Sequence, residues 1–401
     1  MRKLLIASTF FFLIFVYGLI LSQLQVSVFP DELEPANYPG FYDYRGVTNV
    51  HTNRGMGSGS IQDVVRAAQE AGLDYLIVTD LNVFSGTPIS EGYHRQLLLL
   101  SGNVYSYLES RLIHYDRLQR HSLESIGQAQ VLLADLLSQT GEDAEPDLLV
   151  LAHPFKPGYS WTGAYPSGLD GIEIINLKSV WQRAWSESKL SFIWSALVFP
   201  FNPKLALLRL YEEPQAELNL WDQLARTRRT IGIAGAEATS RAGPLGSNYV
   251  RFPSYQLSFS LVSNHVLLRS ELTGEPASDR RKILGALASG QFYMCLDVLG
   301  NPKGFAAYIK DGDKIYPMGS RVKFSPGMKL VVRIPRKPSV PFETKFLKDG
   351  QELMASNSLE TEYDIHDKGV YRVIVRVFPT LTLLDGQRWI TWIYSNPFYV
   401  E

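Results

Sequence analysis

The sequence predicts an α/β barrel, with an apolar helix in front of it and an antiparallel, sandwich-like β domain behind it. Three observations carry this reading. The run Leu4–Leu21 contains no charged residue. Strand-like and helix-like periodicities alternate from Gly46 to Gly290, over roughly the length of an eight-unit barrel. Beyond about residue 304 the pattern becomes short alternating strands around Gly, Pro and Asp turns. The 401 residues divide into an anchor at 1–24, a linker at 25–44, a barrel at 45–300 and a β domain at 304–401.

Composition narrows the function. Lys and Arg number 39 against 40 Asp and Glu, a net charge of −1, which excludes a surface built around nucleic-acid phosphates. With 45% hydrophobic and 20% charged residues the chain is globular rather than disordered. One cysteine, Cys295, excludes an intramolecular disulfide and any multi-cysteine metal site, leaving His and carboxylates as metal donors.

The elements follow in order. LLIASTFFFLIFVYGLIL (4–21) would span about 27 Å as a helix, close to the thickness of a hydrocarbon core. No small-x-small cleavage signal follows at Ser22 and Gln23, so the segment reads as an uncleaved single-pass anchor; if cleaved, the product is secreted or periplasmic. Arg2 and Lys3 precede it and the next positive residue is Arg45, which puts the bulk of the chain outside the cytoplasm. Pro30, Pro35 and Pro39 mark an extended linker. GVTNVHT (46–52) alternates as a strand with Val47, Asn49 and His51 on one face. Ser60 and Asp63 form a capping-box pattern for a helix that ends at Gly72, and LDYLIVT (73–79) is a buried parallel strand, completing a βαβ unit. A helix is expected from about Leu108 to Ser138, strands at 147–153, 171–177 and 230–237, and helices at 217–229 and 280–290. LSFIWSALVFPFNPKLALLRLY (190–211) is broken by Pro200 and Pro203, so it reads either as a buried hairpin over the barrel or as a surface lying on the membrane.

In such a barrel the chemistry sits at the carboxyl ends of the strands. The polar residues there are Asn49, His51, Asp80, His153, Glu237 and Thr239, one or two per strand, as a metal site assembled from several strands requires. Each has a plainer reading. His51 and His153 suit buried strand histidines, Asp80 a turn acceptor, and Glu237 an ion pair with Arg241 four residues on. His114 and His121, with Arg111, Arg117 and Arg120, read as a solvated basic helical face or as an anion-binding one.

The motifs in this order resemble those of the polymerase-and-histidinol-phosphatase (PHP) family. The HxH-Thr motif corresponds to Asn49-Val50-His51-Thr52, Thr-Asp-His to Thr79-Asp80-Leu81, and Pro-Gly-x-Glu to 101–104. His-Pro is present as His153-Pro154, Gly-Ile-Glu-x-x-Asn as 171–176, and the final Asp-x-His corresponds to Glu237-Ala238-Thr239. A terminal Trp-x-x-Ser-Asn-Pro, here 392–397, is similar to that of larger members. The resemblance implies a distorted PHP-type barrel, divalent metals and phosphoester hydrolysis.

The departures reshape that expectation. Of the family's metal ligands, His51 and His153 are kept and Glu237 replaces an aspartate, with Asp80 as the candidate catalytic carboxylate. Asn49, Leu81, Val104 and Thr239 stand where two histidines, a glutamate and a histidine belong. The remaining donors hold at most one divalent ion (zinc, manganese or magnesium) at His51, His153 and Glu237, or none. Two functions follow: a barrel with a reduced, inactive site, or a one-metal phosphoesterase. The expected partners are the membrane, through the N-terminal helix, and a phosphorylated small molecule or envelope component.

Overall fold

The computed structural model describes residues 2–29, 40–84, 89–117, 123–139, 147–245, 248–379, 381 and 386–401. Pro30, Pro35, Pro39, Arg120 and His121 lie outside the described residues. The first half comprises α1 (Arg2–Ser22), β1 (Tyr42–Val50), α2 (Ile61–Glu70), β2 (Tyr75–Leu81), β3 (Gly92–His94), β4 (Leu97–Tyr107), β5 (Ser110–Tyr115), α3 (Ile126–Ser138), β6 (Leu148–Leu151), β7 (Gly171–Asn176), α4 (Leu177–Glu187), α5 (Lys189–Val198) and α6 (Pro203–Arg209). Then come α7 (Gln215–Ala225), β8 (Ile231–Ala238), β9 (Ala242–Leu245), β10 (Asn248–Val250), α8 (Tyr255–Phe259), β11 (Ser263–Leu268), α9 (Pro276–Ala288) and β12 (Phe292–Cys295). The rest is β13 (Ala306–Asp311), β14 (Lys314–Pro317), β15 (Arg321–Val322), β16 (Lys329–Arg333), β17 (Phe342–Lys348), β18 (Gln351–Ser356), β19 (Glu360–Asp364), β20 (Gly369–Val377), β21 (Ile390–Ser395) and β22 (Phe398–Val400).

Strands β1, β2, β4, β5, β6, β7 and β8 pair in that order, and β8 returns to β1, closing a barrel. All run parallel except β5, which is antiparallel to both neighbours. The helix expected over 108–138 is therefore corrected. Its first part is the end of a hairpin, with a turn at Leu108 (φ 51°), and only 126–138 is helical. SRLIHY buries five of its six residues as a strand between two others, and that tertiary pairing overrides helical periodicity. His114 lies on β5, not on a helix, and its ring pairs with the Asp147 carboxylate at 3.1 Å.

The predicted capping box forms: Asp63 N–H donates to Ser60 Oγ at 3.2 Å and Ser60 N–H donates to Asp63 Oδ2 at 3.1 Å. The 190–211 segment becomes two helices broken at the prolines. Helix α6 buries Leu205, Ala206, Leu207 and Leu208, whereas α5 turns Leu190 (82% exposed) and Ile193 (51% exposed) outward.

Helix α1 spans 21 residues, and Leu5, Ile6, Phe10, Phe11, Phe12, Leu13, Phe15, Leu19 and Ile20 face outward. Among the described residues no helix is long and apolar enough to cross a membrane.

The lower part of β1 pairs with β11, and the sheet runs on through β12, β21 and β20 into the C-terminal domain, where β14-β13-β16-β19 forms a second sheet. Tyr363 of β19 meets Phe346 and Tyr371 of the first sheet across the interior, at 6.0 and 6.5 Å between ring centres. The 392–397 motif is the joint. Asn396 Oδ1 accepts from Gly232 N–H at 2.9 Å, its Nδ2 donates to Gly232 O at 3.2 Å and Phe292 O at 3.1 Å, and Trp392 Nε1 donates to Gly300 O at 2.8 Å.

Candidate functional site

The barrel brings the carboxyl ends of β1, β2, β6, β7 and β8 to one rim. The backbone there is unusual. Asn49, Asn82, His153, Glu237 and Ser240 all have positive φ, between 32° and 57°, conformations that cost non-glycine residues energy and concentrate at working sites. β1 is irregular on both sides of Asn49, and β7 between Glu173 and Ile175. Such bulges re-aim side chains, and they break the simple alternation expected for 46–52.

Two buried carboxylates organise the rim. Glu173 accepts from Asn49 Nδ2 (2.7 Å), Asn176 Nδ2 (2.8 Å) and the His153 backbone N–H (2.9 Å). Burial raises its carboxyl to about 7 despite these donors. Asn176 also caps α4 through Ser179 N–H at 2.8 Å, so one asparagine ends β7, begins α4 and orients Glu173. Gly235 makes the space, because a Cβ there would stand 1.6 Å from Glu173 Oε1.

The second carboxylate, Glu237, is gripped by cations. Lys156 Nζ donates to its two oxygens at 2.9 and 3.0 Å, and Lys178 Nζ lies 3.6 Å away. Burial alone would raise the Glu237 carboxyl; Lys156 and Lys178 outweigh it and bring it down to about 2. Its partners are these two lysines, a correction to the expected pairing with Arg241. Burial lowers the Lys178 ammonium against the pull of Glu237.

His51 and His153 face the same charges. Burial lowers each imidazole to about 4, Glu237 opposes the shift, and Lys156 and Arg111 add to it. Both are neutral at pH 7, and the Nδ1 of each is buried with no hydrogen-bond partner among the described residues. Tyr255 OH donates to His51 O at 2.7 Å and fixes the loop after β1. Arg111 lies 4.3 Å over the Tyr159 ring, makes no ion pair among the described residues, and has a buried, unpartnered Nε. The sequence pattern places it on a helix; as the second residue of β5 it reaches the rim.

Asp80, the candidate catalytic carboxylate, lies near the end of β2. Its Oδ1 accepts from Thr52 N–H and its Oδ2 from Thr52 Oγ1, both at 2.6 Å, so it acts as the turn acceptor that holds the chain after His51. Val104 is buried, in register with Leu81. Thr239 is buried and its carbonyl accepts from Tyr255 OH at 3.1 Å.

A divalent ion does not fit these donors. The only carboxylate in the expected triad already holds an ammonium on both oxygens, and Lys178 and Arg111 stand close by. A dication beside them would face strong repulsion in a poorly solvated site. Among the described residues no group of three His, Cys, Asp or Glu side chains is arranged to hold a metal ion. Lys156, Lys178 and Arg111 stand against Glu237 and a Glu173 that burial leaves only partly ionised near neutral pH, a net positive rim that suits an anion.

No family model and no curated protein matches the chain. Among solved structures it is similar to a two-domain protein containing a predicted PHP-like metal-dependent phosphoesterase from Bacteroides vulgatus ATCC 8482, with a TM-score of 0.39 and 10% identity, over 90% of this chain and 98% of that one.

Proposed function

We propose that this chain is a membrane-anchored, PHP-like barrel protein that binds a phosphate-bearing ligand and carries out no metal-dependent hydrolysis. The observation that supports this best is the Lys156 ammonium on both oxygens of Glu237. A cation belongs to the fold at the point where a metal would otherwise bind, and that cation is covalently part of the chain. Lys178 and Arg111 extend the positive surface toward a phosphoryl group, and lysine serves such groups as a point charge. The buried Nδ1 atoms of His51 and His153 offer further polar contacts. The anchor is α1, with Arg2 and Lys3 in the cytoplasm and the barrel outside it.

Elemental analysis and calorimetry on the purified chain test this. The expected result is substoichiometric zinc, manganese and magnesium, with saturable binding of glycerol 3-phosphate that weakens about tenfold in Lys178→Gln. Stoichiometric metal together with turnover of an aryl phosphate, lost in His51→Ala or His153→Ala, would overturn the reading in favour of the one-metal phosphoesterase. A reporter active only in the cytoplasm, fused after Glu401, should be silent.

A further inference from the structure

The rim opens into a cavity of about 720 Å³ whose far walls are apolar. Its charged lining residues are Lys178, Glu237 and Arg241, beside a wall of Trp181, Trp185, Phe192, Phe199 and Phe252. A small polar phosphate ester would fill only the charged part and leave the aromatic wall wet. A ligand complementary to both has an anionic head and a hydrocarbon chain.

The outside of the same wall points to where such a ligand comes from. Helix α5 forms one wall of the cavity, which is partly open to solvent along Trp185 and Ala196, and the other face of α5 carries the exposed Leu190, Ile193 and Leu197. The end of α1 is fastened to this wall. Tyr17 packs on Trp194 and Phe15 on Phe201, at 5.8 and 6.1 Å between ring centres, and Asn202 Nδ2 donates to the carbonyls of Leu21 and Leu24 at 3.0 Å each. With α1 as the anchor, α5 lies where the chain leaves the apolar layer, with Trp and aliphatic side chains at headgroup level.

We infer that the barrel takes an anionic phospholipid directly from the bilayer, holding its phosphate at Lys178, Lys156 and Arg111 and one hydrocarbon chain in the cavity between α4, α5 and α6. This rests on the reading of the rim as a phosphate site. The patch on α5 is continuous with the anchor, and the charge of the cavity floor is complementary to the headgroup.

The test uses the full chain in phosphatidylcholine nanodiscs doped with phosphatidic acid. Lipid retained after extraction into detergent is counted by native mass spectrometry, and glycerol 3-phosphate binding is measured in parallel by calorimetry. The expected result is retention of phosphatidic acid about tenfold over phosphatidylcholine. Ala196→Trp, which fills the cavity from α5, should abolish that retention and leave glycerol 3-phosphate binding intact, which also reports that the variant is folded. Gln182→Trp narrows the same cavity from α4 and should act alike. Ile193→Asp should block uptake from nanodiscs while phosphatidic acid supplied in detergent still binds. Glycerol 3-phosphate binding with phosphatidic acid retention unchanged in both tryptophan variants would overturn this inference and leave the phosphate site standing. Normal uptake by Ile193→Asp would overturn the bilayer route. Absence of binding by either ligand would overturn the phosphate reading, and this inference with it.

Discussion

The Lys156 ammonium lies 2.9 and 3.0 Å from the two carboxylate oxygens of Glu237, inside a rim where both side chains are almost fully buried. Neither charge is tolerable there without the other. Their pairing sets the charge of the rim: it supplies a fixed cation and engages both carboxylate oxygens.

Removing one partner exposes this dependence. Lys156→Ala should destabilise the protein by about 2–3 kcal/mol, somewhat less than a typical broken buried pair because Lys178 remains 3.6 Å from Glu237. Lys156→Met with Glu237→Gln should recover most of that loss in denaturant titrations. Lys156→Ala should also acquire a zinc-dependent rise in Tm that the parent lacks. An equal rise in the parent would show that the lysine does not exclude the ion.

Gly235 gives a second handle. A methyl group at this position collides with Glu173 Oε1 and comes within 3.1 Å of the Asn49 Cβ. Gly235→Ala should therefore displace Glu173 from its three donors and cost about 1–3 kcal/mol by overpacking. Glycerol 3-phosphate binding should fall as His153 loses the acceptor for its backbone N–H. Unchanged stability and binding, by denaturation and calorimetry, would mean that the rim does not depend on the position of Glu173.

Much of this was legible in the sequence, for physical reasons. Apolar β-branched runs with capped helices between them reveal parallel strands, and strand ends in a barrel are chemically exposed whatever the family. The rest needed tertiary structure. Lys156 and Lys178 sit just past strand ends, where a lysine usually reads as a solvated surface residue; only the folded rim turns both toward Glu237. The sequence pattern puts Arg111 on a helix rather than on β5, since LIHY carries no alternation once both its faces are buried. Asp80 was correctly located on β2, but its bond to Thr52 depends on how the loop after β1 folds back.

His265 carried no sequence signal, yet it centres a buried cluster at the root of the barrel. Its Nδ1 pairs with Asp43 at 2.8 Å, its Nε2 lies 3.7 Å from Asp297, and Tyr293 stacks on the ring at 4.6 Å. Burial alone would lower the imidazole, but Asp43 and Asp297 raise it to about 9. A raised folded value stabilises while the ring is protonated. The contribution is therefore full below the ordinary value of about 6.5 and is lost as pH rises through about 9. At 1.36 kcal/mol per unit this is at most about 3 kcal/mol, lost between roughly pH 6.5 and 9. Urea unfolding across that range should show the decline, and His265→Gln should flatten it. An equally steep decline in the variant would assign the effect to other groups.

Asn202 joins α1 to the barrel with one side chain doing two separable things. Its Oδ1 accepts from Leu205 N–H at 3.0 Å and caps α6, while its Nδ2 donates to the carbonyls of Leu21 and Leu24. These carbonyls lie at the end of α1, where the last acceptors of a helix lack intrahelical partners. Asn202→Asp keeps the cap acceptor and loses both donors, placing a carboxylate against two carbonyl oxygens. Asn202→Ala loses everything, at about 1 kcal/mol for the cap alone. Both variants should therefore free the end of α1, seen as faster protease cleavage between residues 23 and 44 in nanodiscs. Only Asn202→Ala should also lose the cap, seen as faster amide exchange in the first turn of α6. Cleavage at the parental rate in Asn202→Asp would show that aromatic packing of Tyr17 on Trp194 and Phe15 on Phe201 holds α1 without the asparagine.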